Sequence, residues 1–97
     1  MPTDTAMEIL NAYKQKRQQN PAADQATLFK YILWDRFTGK MVTDSELGDM
    51  ASSSRTLSDL ALQVLKREKP TMATSRLERN AQDAIKHYFM MNYPDGA

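Results

Sequence analysis

The sequence predicts an all-α protein, a compact bundle of about five short helices forming a single domain over residues 1–97. Three observations carry that expectation. Apolar residues recur at helical spacing in each long segment, so each can bury one stripe against a neighbour. A hydroxyl residue is followed three positions later by Glu at Thr5/Glu8, Thr43/Glu46 and Ser75/Glu78, the spacing at which side chains satisfy the unpaired amides of a helix start. No segment alternates polar and apolar residues between turn residues, so no strand pattern competes.

The first helix is expected over about 6–19, with Ala6, Ile9, Leu10 and Tyr13 on one side and Lys14, Lys16 and Arg17 at an end where cations suit the helix dipole. Asn20-Pro21 reads as the next start, since Asn caps and Pro fits the first helical position. The second helix then runs over about 21–38, with Leu28, Phe29, Ile32, Leu33 and Phe37 forming a broad apolar face, and Gly39 can turn the chain through the left-handed region. A short third helix, 44–51, offers Leu47, Met50 and Ala51. The serines at 52–54 read as the start of the fourth helix, 55–69, whose Leu57, Leu60, Ala61, Val64 and Leu65 make the cleanest stripe in the chain. Pro70 ends it. The fifth, 76–92, places Leu77, Ala81, Ala84, Ile85 and Tyr88 together. Short connections between such helices favour antiparallel neighbours.

Composition narrows the function classes. Thirteen basic residues against twelve acidic ones leave a net charge of +1, too little to create a strong field toward nucleic acid or anionic lipid. The chain has no cysteine and one histidine, so thiolate chemistry and zinc sites are not expected. The run from Tyr31 to Trp34 is far short of the roughly 20 apolar residues that span a bilayer, and no secretory signal pattern opens the sequence. These features predict a cytoplasmic protein without a membrane partner. No phosphate loop, dinucleotide fingerprint, calcium loop or nucleophile–base pair is legible. A non-enzymatic role follows, with no cofactor, metal or small-molecule substrate.

Two surfaces stand out as candidates for protein contacts. Thr27, Tyr31, Trp34 and Thr38 line the second helix on the side away from its apolar face, and Tyr and Trp are enriched at interface hot spots. Arg36 falls inside the apolar arc and must either reach water or find an acid. Phe89, Met90 and Met91 continue past the stripe of the fifth helix, and methionine adapts to irregular partner surfaces. Tyr31, Trp34, Arg36, Phe89, Met90 and Met91 are therefore the expected interaction residues. The leading expectation is a regulatory, adaptor or accessory module that binds a protein partner or a second copy of itself.

The alternative is a DNA-binding regulator. Residues 44–68 have the outline of a helix-turn-helix, two short helices joined by a tight serine turn. Ser53, Ser54, Arg55 and Ser58 would then face a DNA groove, Arg55 foremost, with Lys66 and Arg67 near phosphates. Against this, the usual turn glycine is Ser52, the apolar spacing is one residue short, and Asp44, Glu46, Asp49 and Asp59 carry the sign that repels phosphate.

Overall fold

The computed structural model of the chain describes residues 2–97 and, within them, every side chain except those of Ala73 and Ser75. Among the described residues there are five α-helices and no strand: α1 (Pro2–Gln19), α2 (Gln25–Phe37), α3 (Asp44–Ser53), α4 (Leu57–Glu68) and α5 (Ser75–Asn92). Short 3-10 turns occupy Pro70–Ala73 and Pro94–Gly96. The all-α bundle expected from the periodicity is the observed fold.

Several helix starts move, each for a local reason. α1 begins at Pro2, so Thr5 is an interior residue whose side chain is buried rather than the cap of a box with Glu8. Asn20 closes α1 instead of opening α2: its backbone amide and its side-chain Nδ2 both donate to the Lys16 carbonyl, at 2.9 and 3.1 Å. The cap of α2 is Asp24, whose Oδ1 accepts from the Thr27 amide at 2.8 Å. Thr43 caps α3 as expected, accepting from the Glu46 amide at 3.1 Å.

The serines end α3 rather than start α4. Ser52 donates to the Asp49 carbonyl, and Ser53 and Ser54 both donate to that of Met50, which satisfies carbonyls left unpaired at a helix end. α4 is capped instead by Thr56, in a reciprocal box with Asp59 in which both halves are present. At α5 the cap position is Thr74, without a side-chain bond. The expected Ser75/Glu78 box rests on a side chain outside the described residues. Gly39 does take positive φ, +77°, just past Phe37.

α1, α4 and α5 pack on one another, α2 lies against α1, and α3 lies on α2 with a lighter contact to α4. One buried cluster joins all five helices through residues such as Ile9, Phe29, Leu33, Leu47, Leu60, Val64, Ile85 and Phe89. Each large side chain buried there stabilises the fold by about 1.5–3 kcal/mol. On α5 the buried row is Ala81, Ile85 and Phe89, spaced by four, while Leu77 at its start is 43% exposed. Phe89 is therefore a core residue with no exposed surface, and its assignment to an interaction surface is corrected. No described helix is long and apolar enough to cross a membrane.

Candidate protein-interaction groove

The outer side of α2 does not disappear into the bundle. α2 is apolar on one face and aromatic on the other, and only α1 and α3 pack on it closely enough to cover it. Trp34 remains 55% exposed and Tyr31 36% exposed. They stand over an open groove of about 460 Å³ between α2 and α3. Thr27, Lys30, Tyr31 and Trp34 form the α2 wall, and Asp44, Leu47 and Gly48 form the α3 wall.

Two local features shape this groove. Trp34 Nε1 donates to Asp44 Oδ1 at 3.2 Å, so the first residue of α3 fixes the indole of α2. The bond satisfies the polar edge of a ring that remains more than half exposed. Gly48, one turn further along α3, has open space where a Cβ would stand: no atom of the chain comes within 4 Å of that position. Lys30 makes no ion pair with any described residue.

Arg36 is not part of this surface. Its guanidinium is directed inward to Glu68 on α4, Nε to Oε2 at 3.1 Å and Nη2 to Oε1 at 2.9 Å, and to Glu8 on α1 through Nη1 at 2.9 Å. Burial works against the charge, but the hydrogen bonds to Glu68 and Glu8 outweigh it, so the guanidinium pKa is raised. Of the two outcomes open to a cation in an apolar arc, an internal acid is the one realised, and Arg36 is reassigned from partner binding to tying three helices together. Lys40 adds a further contact to Glu68 at 3.6 Å.

Met90 and Met91 are exposed, at 61% and 71%. They project from α5, which packs chiefly on α1 and α4, whereas the groove belongs to α2 and α3. The two expected interaction surfaces are separate patches.

Apart from the exposed side chain of Arg55, the residues proposed to read DNA are engaged within the chain. Ser54 and Ser58 are buried, 7% and 3% exposed, and donate to the carbonyls of Met50 and Ala97; as groove-reading residues both are corrected. Ser53 is exposed but bonds back to α3. Arg55 is exposed. Its backbone amide, with that of Thr56, donates to Asp59, and its carbonyl accepts from Gln25. Lys66 pairs with Glu78 at 2.9 Å, and Arg67 reaches Glu46 at 3.2 Å and the Met41 carbonyl at 3.0 Å. From Leu57 to Lys66 every residue of α4 is buried or half-buried, because this helix forms the centre of the bundle.

Of the three cations near the end of α1, Lys14 is exposed while Lys16 and Arg17 are engaged within the chain. Lys16 pairs with Asp35. Arg17 donates to the carbonyls of Ala23 at 2.6 Å and Pro21 at 3.4 Å and to the Tyr13 hydroxyl at 3.1 Å, which fastens the loop between α1 and α2.

Lys30, Asp44, Leu47 and Gly48 join Tyr31 and Trp34 in the groove, and periodicity did not single them out for it. A glycine inside a helix was the one available signal, since it costs about 1 kcal/mol relative to alanine and so calls for a reason. Among the described residues no cluster of metal-binding side chains occurs, and no buried side-chain nitrogen or oxygen lacks a partner. No protein-family model matches this chain, and no curated protein and no solved structure matches it significantly.

Proposed function

We propose that the chain is a small non-enzymatic helical module that acts by binding another polypeptide, in a regulatory, adaptor or accessory role, through the groove between α2 and α3. The observation that carries this reading is Trp34: a large ring held in place by Asp44 yet more than half exposed, beside Tyr31 and above an open space. A preorganised aromatic anchor loses little freedom on binding, which is where interfaces gain affinity. The groove walls favour contact over proton transfer, because their titratable groups are one lysine, one phenol and one carboxylate that already holds an indole.

The test is capture from the native host with the wild-type chain and with Trp34→Ala and Tyr31→Ala variants, each checked for helicity by circular dichroism. The expected result is that folded Trp34→Ala loses about 30-fold or more in affinity for whatever the wild type binds. Equal capture by all three chains would defeat the reading. DNA binding through residues 44–68 has less support, since α4 is central to the bundle and Lys66 and Arg67 are paired within the chain.

A further inference from the structure

We infer that the occupant of the α2–α3 groove is the same groove of a second copy of this chain, joined about a two-fold axis. Trp34 of each copy then seats over Gly48 of the other, and each Lys30 meets the other copy's Asp44. The inference rests on the groove being a protein-binding surface and goes further by naming the partner.

Three features converge on it. A two-fold contact needs a knob and a hole on the same face, because one patch serves both sides. Here a half-exposed tryptophan stands beside an open space over a glycine, within one groove. Nothing inside the chain requires that glycine: Gly48 is helical, its φ is not positive, and a Cβ would meet no atom within 4 Å. Glycine in a helix serves close approach by another group, and that group lies outside this chain.

The charges give the third feature. Lys30 stands on the α2 wall and Asp44 on the α3 wall, one of each sign across the groove. Lys30 has no partner among the described residues, and only one Asp44 oxygen is engaged by Trp34. A uniformly basic or acidic segment would meet repulsion at one wall. A copy turned by a two-fold axis presents the same two charges in reverse order, so both pairs are attractive. A stable contact of this kind covers about 800 Å² per partner, a minor share of the chain's 6085 Å², and draws in the flanks of α2 and α3.

The experiment is sedimentation of the full chain from about 1 µM to about 1 mM, for the wild type, Gly48→Leu, Lys30→Glu and Asp44→Lys. The wild type is expected to dimerise. Gly48→Leu fills the hole and raises the dimer dissociation constant by about tenfold or more, with no loss of thermal stability at concentrations where both chains are monomeric. Lys30→Glu and Asp44→Lys are each monomeric alone, because like charges then meet twice, and an equimolar mixture of the two recovers a dimer in which both pairs are attractive again. A wild type that stays monomeric throughout overturns the inference. If Trp34→Ala nevertheless weakens capture of a host protein, the groove remains an interaction site with a different partner; if capture is also unchanged, both readings fall. A wild-type dimer that Gly48→Leu leaves intact, with no recovery on mixing, places self-association elsewhere and also overturns it.

Discussion

Arg36 on α2 holds both carboxylate oxygens of Glu68 on α4, at 3.1 and 2.9 Å, while its remaining nitrogen reaches Glu8 on α1 at 2.9 Å. The Arg36 and Glu68 side chains are only 21% and 23% exposed, whereas Glu8 is 53% exposed. Removing the guanidinium leaves the half-buried Glu68 with only the longer contact to Lys40, at 3.6 Å. Arg36→Ala should lower unfolding free energy by about 1.5–3 kcal/mol, and Arg36→Lys should recover little, because an ammonium cannot reproduce the two-pronged geometry. Glu8→Ala should cost less than about 1 kcal/mol, as an exposed pair does. Urea denaturation of the three variants separates these values.

The start of α2 should respond to acid. Hydrogen bonding from Thr27, through its hydroxyl and then its amide, holds the Asp24 carboxyl below its ordinary value of 3.8. A depressed folded-state pKa means that the stabilisation is fully present above the unfolded value and is lost as pH falls through the folded one. Asp24→Asn keeps an acceptor for the cap but cannot titrate. The melting temperature of the wild type relative to this variant should therefore be constant near neutrality and fall only below about pH 4. An NMR titration of the Asp24 carboxyl reads the same shift directly.

Neighbouring residues of α5 should differ sharply. Phe89 is fully buried, with its ring edge-to-face against Tyr88 at 5.7 Å between centroids. Phe89→Ala should cost about 3–5 kcal/mol by leaving a cavity. Met90→Ala and Met91→Ala should each change stability by less than about 0.5 kcal/mol. Thermal unfolding of the three variants checks the contrast, and comparable losses in all of them would place the α5 face wrongly.

Two glycines should answer alanine with opposite signs. Gly48→Ala meets no atom of its own chain and removes a helix-interior glycine, so at concentrations where the chain is monomeric it should stabilise the fold by about 0.5–1 kcal/mol. At Gly96 an added Cβ would lie 3.0 Å from Leu57 Cδ1 and 3.2 Å from Leu57 Cβ. Gly96→Ala should therefore lower the melting temperature, as the C-terminal turn is pushed off the start of α4. Calorimetry on both variants decides it.

Helix number and the main apolar stripes were legible in the sequence because they depend on periodicity, which is local. Boundaries were less so, and the misplacements share a cause: several residues could cap, and tertiary packing chose among them. Asn20 and Ser54 have good capping chemistry, yet both serve the helix before them. Burial of Thr5 extends α1 past a plausible start. Tyr31 and Trp34 were legible because they fall on the wrong side of an amphipathic helix. Asp44 and Gly48 were not, since their place beside that ring comes from α3 docking on α2, a contact ten or more residues apart in sequence. Phe89 was misread as lying past the stripe of α5, although it is the next member of the row Ala81 and Ile85 occupy; what the row could not show is that its first member, Leu77, is exposed while its last is buried.

The bond between Trp34 and Asp44 also has an optical consequence. The chain has a single tryptophan, and it stands half in water with its N–H on a carboxylate. Fluorescence from this protein therefore reports from one address: whatever enters the cleft dries the indole and moves its emission toward the blue, with no label attached.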